Sequence, residues 1–199
     1  MGSDIARHSR RPPMNDWMAT TESRAIREWG LAEIVSDKLP TGSAPWLEPL
    51  RAKVRIARRD ELTEEEWSAL ERLARDFRAP MLDPLLALRP EWYEGEIAVE
   101  DLYQARIIAY PPFVKNAPSR RLEELCGSST SPAPEFDRAV MNASPIVLGP
   151  SVAGSWCLVE GYGCCCRAIR DHRAGGFDGQ AMPVIAAITW RASEWSWWR

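Results

Sequence analysis

Trp156-Cys157-Leu158-Val159-Glu160-Gly161-Tyr162-Gly163-Cys164-Cys165-Cys166-Arg167-Ala168-Ile169 is the stretch on which the reading of this chain turns. A short apolar run, Trp156 to Val159, has the length of a buried strand and ends in an acid and a glycine. From Gly163 the apolar spacing changes to that of a helix, which Gly175-Gly176 stops after Ala174. Glycines at such a junction let the backbone approach a ligand closely or simply make the turn, and a helix N-terminus favours anions. Three cysteines occupy the opening turn of that helix.

Working outward, Pro145–Leu148 reads as a strand, Gly149–Ser155 as a turn, and Pro183–Thr189 as a further strand. Strand, hairpin, strand, helix, strand implies an α+β fold, a small mixed β-sheet with packed helices. Upstream, Gln104–Tyr110 is apolar and β-branched and reads as a strand, with Pro111-Pro112 as a turn. Ser119 is placed to cap a short helix through Leu122 and Leu125, and Phe136–Met141 suggests another helical turn. Pro80, Pro84 and Pro90 are expected to break the chain into short pieces. Before them, Thr63-Glu64-Glu65-Glu66 forms a capping box ahead of Trp67, Leu70, Leu73, Ala74 and Phe77 at helical spacing. Lys53–Ala57 alternates like a short strand, and Thr20 or Thr21 caps a helix carrying Ile26, Trp29 and Ile34 to near Ser36. Residues 1–16 read as a disordered leader, 17–91 as a helical N-terminal extension, and 92–199 as the main domain with a tryptophan-rich tail.

The balance of 25 basic and 28 acidic residues gives a net charge of −3, which does not favour a general nucleic-acid binder. No apolar stretch approaches the roughly 20 residues a membrane span needs. The leader has basic residues without an apolar core, so a cytoplasmic location and five reduced thiols are expected.

The order of these motifs resembles the ParB/sulfiredoxin superfamily between Trp92 and Thr189. Leu158-Val159-Glu160-Gly161-Tyr162 is similar to its strand with an acid-glycine end, and Met182-Pro183-Val184-Ile185 to its closing strand. Ile107 to Pro112, then Pro118-Ser119-Arg120-Arg121-Leu122-Glu123-Glu124-Leu125, resemble its first strand, proline loop and helix. The resemblance implies binding of a nucleoside triphosphate or diphosphate with Mg²⁺, and phosphotransfer or phosphohydrolase chemistry. Ser119, Arg120, Arg121, Gly161, Tyr162, Gly163 and Arg167 would hold the phosphates. The family's arginine, three residues after the glycine, is Cys164 here, and Arg167 is the nearest substitute.

Glu160 is the candidate general base or metal-bound carboxylate, or else an acid that only faces the next helix's N-terminus. Cys164, at that N-terminus, is either a nucleophile with a lowered pKa or a small buried residue. Adjacent helical positions diverge by about 100°, so three cysteines in a row cannot converge on one zinc, and no metal ligands are assigned. His172 shares the apolar face with Cys165, Ala168 and Ile169 and reads as a core histidine. Trp190, Trp195, Trp197 and Trp198 either close the core or form a surface for a protein partner, as the N-terminal helices also could. The alternative function is a non-catalytic protein-interaction module that retains the fold with a degenerate motif.

Overall fold

The computed structural model describes residues 17–35, 45–54, 59–128, 143–175 and 181–198. The chain enters through a two-residue strand, β1 (Met18–Ala19), and then a helix, α1 (Glu22–Val35). Thr21 Oγ1 caps α1 by accepting the Arg24 N–H at 3.1 Å. A short helix α2 (Glu48–Val54) stands where Lys53–Ala57 suggested a strand, and 55–58 lie outside the described residues. Leu50 and Val54, four apart, are both buried on one face of α2.

The long helix α3 (Glu64–Leu86) starts at the expected capping box, with Thr63 and Glu66 satisfying each other's backbone N–H groups. It does not break at its prolines, for Pro80 and Pro84 both lie inside it. Pro84 has no N–H to give the Pro80 carbonyl, and the Trp197 indole donates to that carbonyl instead, at 3.3 Å. Trp195 Nε1 donates to the neighbouring Met81 carbonyl at 3.1 Å. The tryptophan tail therefore supplies donors that stabilise a proline-interrupted helix. Trp195 is buried, and Trp190 is the exposed member, at 81%.

Then follow β2 (Glu91–Ala98), α4 (Val99–Gln104), β3 (Arg106–Ile107), α5 (Pro111–Asn116) and α6 (Leu122–Ser128). β2 carries three glutamates and a glycine, and its half-buried pattern concealed it in the sequence. The strand expected over Gln104–Tyr110 shrinks to β3, because Gln104 ends α4 and Tyr110 precedes α5. Pro111 and Pro112 open α5, where missing N–H groups cost nothing. The helical turn suggested for Phe136–Met141 falls outside the described residues.

The last part follows the expected order: β4 (Ile146–Gly149), β5 (Cys157–Glu160), α7 (Tyr162–Arg173) and β6 (Ala181–Ile188). The six strands form one mixed sheet in the order β1-β2-β6-β4-β5-β3. β6 pairs antiparallel with β2 from Glu91↔Ile188 to Ala98↔Ala181 and parallel with β4 from Ile146↔Ile185. Pro183 lies before the β4 pairing begins, so its missing N–H breaks no bond on that side. Among the described residues there are seven α-helices, none long and apolar enough to cross a membrane.

β4 and β5 are buried at every position, which requires cover on both faces of the sheet. One helical group is α1 packed on α3; the other is α4, α6 and α7. Ile26, Trp29, Leu82 and Leu85 from before position 91 share one core with the strands, and β1 joins the sheet itself. Gly30 makes the α1–α3 approach close enough that a Cβ there would meet the Leu70 backbone.

The cysteines depart from expectation. Cys126 of α6 and Cys166 of α7 form a disulfide, with Cα atoms 5.0 Å apart, so only Cys157, Cys164 and Cys165 are free.

Candidate functional site

The acid-glycine turn is built by β5. Ile146 faces Glu160 while Val147 faces Leu158, so Val159 is an extra residue in the ladder immediately before the acid. A bulge of this kind re-aims the side chain at a strand end. Glu160 is buried, and its Oε1 accepts the Gly161 N–H at 3.0 Å. Gly161 turns the chain at φ 96°, and a Cβ there would lie 2.7 Å from Pro145 Cα. The space beside Gly161 is thus filled by Pro145, and the glycine serves packing and turn geometry.

Tyr162 enters the core. Its hydroxyl donates to the Leu158 carbonyl at 2.6 Å and accepts the Ile108 N–H at 3.1 Å, bracing β5 against the chain after β3. Its ring packs at a tilt against Phe113, 4.6 Å between centroids, and burial pushes its pKa well up. The hydroxyl of Tyr162, expected beside a phosphate, is thus engaged within the core.

Gly163 is exposed and faces open space. Cys164 beside it is half-buried, and burial, then the Glu160 charge, raise its thiol pKa against a smaller opposing pull from Arg167. The thiolate expected from the helix N-terminus is therefore not favoured: desolvation and a neighbouring carboxylate outweigh the dipole. Arg167 is half-exposed, 3.8 Å from Asp171 one turn further on.

The second expected phosphate-holding segment is used internally. Glu124 accepts the Ser119 N–H at 3.0 Å, so a carboxylate of the chain already occupies the anion position ahead of α6. Arg120 Nη2 donates to the carbonyls of Ile107 at 2.8 Å, Trp198 at 2.8 Å and Trp197 at 3.3 Å. Burial, reinforced by Arg106, lowers the Arg120 pKa. These bonds fasten the tail to β3. Arg121 is exposed, with Glu123 at 3.9 Å.

Two charged clusters escaped the sequence reading. Glu33 of α1, buried, takes a fork from Arg78 of α3 at 2.6 and 2.5 Å. Burial pulls the Arg78 pKa down, but the Glu33 bonds prevail, and Glu160 and Tyr110 add to the net rise. The available signal was Glu33 falling four residues after Trp29 and seven after Ile26, on the apolar face of α1. Glu28, fully buried, pairs with Arg24 at 2.7 Å and with Arg59, and accepts the Ser144 N–H at 2.9 Å. His172, expected in the core, is half-buried, with its Nδ1 3.0 Å from the Tyr103 hydroxyl and its Nε2 3.3 Å from Glu100.

Among the described residues, no group of three or more histidines, cysteines or acids could hold a metal ion. No protein-family model, curated protein or solved structure matches the chain.

Proposed function

We propose that this chain is a ParB/sulfiredoxin-like domain that has turned its phosphate-holding positions to its own packing and acts as a non-catalytic protein-interaction module. The observation that carries this reading is Arg120, whose guanidinium is taken by three backbone carbonyls. The Glu124 carboxylate on the Ser119 N–H and the raised Cys164 pKa support it. The test is titration with ATP, CTP and ADP, with and without Mg²⁺, to millimolar concentration. A ligand at a hundred times its Kd stabilises by about 2.7 kcal/mol, or about 5–10 °C for a chain of this size. The expected result is no shift, and a saturable one overturns the reading.

One observation favours a second reading, in which the start of α7 binds a nucleoside phosphate. α7 has no side-chain cap, Gly163 faces open space, and Arg167 follows about one turn later. Glu160 would then serve as a base or meet the Mg²⁺ that accompanies the phosphates. A nucleotide-induced shift that is lost in Arg167→Met and kept in Arg121→Met would establish it.

A further inference from the structure

We propose that the N-terminal helices hold the Glu160–Gly161 turn in shape, with Glu28 as its positioning residue. The path is short and made of bonds and contacts. Glu28 sits on α1 with no exposed surface, and Arg24 and Arg59 fix its carboxylate. Its second oxygen, Oε2, accepts the Ser144 N–H at 2.9 Å. Arg59 Nη1 also reaches the Ser144 hydroxyl at 3.5 Å, so Ser144 is gripped at backbone and side chain. The next residue, Pro145, gives its carbonyl to the Ile185 N–H at 2.9 Å and presses its Cα against Gly161. Gly161 is the N-cap of α7, and its carbonyl accepts the first bond of that helix, from Cys165 N–H at 3.0 Å.

A buried carboxylate outside the motif thus sets the position of the wall against which the motif turn closes. The turn has no room to adjust on that side, since the contact involves the Pro145 backbone. In this arrangement the helices before position 91 are part of the turn's construction, whatever ligand or partner the turn serves.

The experiment reads the turn directly in the full chain and needs no binding partner. Cys164 lies in the first turn of α7 and is the most accessible free thiol, since Cys157 and Cys165 are buried. Its alkylation by iodoacetamide is followed by peptide mass spectrometry, well below the melting temperature of each variant. Glu28→Asp keeps a carboxylate beside the arginines and withdraws it from Ser144. Glu28→Ala removes it altogether. Leu85→Ala, a cavity in the same core with no bond to Ser144, controls for general loosening. Both Glu28 variants should label Cys164 about tenfold faster or more, the loss expected for a charge-assisted hydrogen bond. Leu85→Ala should label at the wild-type rate. The proposal is overturned if Glu28→Asp labels like wild type, or if Leu85→Ala accelerates labelling equally. Should Glu28→Ala fail to fold, amide exchange of Ile185 in Glu28→Asp decides: faster exchange supports the proposal, and unchanged protection rejects it.

Discussion

Gly161 and Gly163 stand two positions apart and answer to opposite constraints. Gly161 has φ 96° and no room for a Cβ beside Pro145. Gly161→Ala should cost about 2–4 kcal/mol, the sum of left-handed strain and overpacking. Gly163 meets nothing within 4 Å and lies in the first turn of α7, so Gly163→Ala should gain about 0.5–1 kcal/mol. Urea unfolding of both variants checks the difference in sign. At Cys164 the electrostatics can be tested with the same clarity. Glu160 raises its thiol pKa and Arg167 lowers it. The midpoint of the pH–alkylation profile should therefore fall in Glu160→Gln and rise in Arg167→Met, and unmoved midpoints would refute the arrangement. That Glu160 ends a strand was legible from the apolar run before it. That Val159 bulges and that Pro145 closes on Gly161 was not, because both depend on a strand pairing that no local pattern encodes.

At the level of elements, α1 and α3 were readable because a cap and apolar spacing agree, and α7 because apolar spacing and the Gly175-Gly176 stop agree. The prolines of α3 misled because the Pro80 carbonyl that Pro84 leaves without a donor is met from far away in the chain, by Trp197. Trp195→Phe keeps the ring and removes the buried donor to Met81, which should cost about 1–3 kcal/mol. Trp197→Phe should cost about 1 kcal/mol, and less in a Pro84→Ala background, where residue 84 regains an N–H for the Pro80 carbonyl. A double-mutant cycle measured by thermal melting detects that coupling, and strict additivity would contradict it. β2 went unread because Glu91, Glu94 and Glu96 interrupt its apolar pattern, while its partner β6 was plain from its own apolar run. The Arg120 role was hidden for a related reason: its acceptors are backbone carbonyls, two of them 77 and 78 positions away, which leave no residue signature.

For the whole molecule, buried ionisable groups set an alkaline limit. Burial holds the Cys157 thiol up to about 12, and also raises Cys164, Cys165 and Tyr162. In the unfolded chain a thiol titrates at about 8.5. Because the folded pKa lies above the unfolded one, this stability is complete below about pH 8.5 and declines as pH rises toward the folded value. Denaturation midpoints should fall steadily from pH 8.5 to 10.5, and less steeply in Cys157→Ala. The disulfide adds a second term. Cys126 and Cys166 are 40 residues apart, and closing a loop of that length contributes about 4 kcal/mol. Cys126→Ser should lower stability by that order, and a reductant should do the same to the native protein and nothing further to the variant.

The same bridge makes the chain a closed ring between Cys126 and Cys166. A protease that cuts the backbone once anywhere inside the ring yields two fragments that remain covalently joined. On a denaturing gel such a nicked protein runs as one band without reductant and as two with it. β4 and β5 are both inside the ring, whereas α7 and β6 lie at or beyond its far end. A nick would therefore divide the sheet's sequence between two polypeptides without letting either strand group diffuse away.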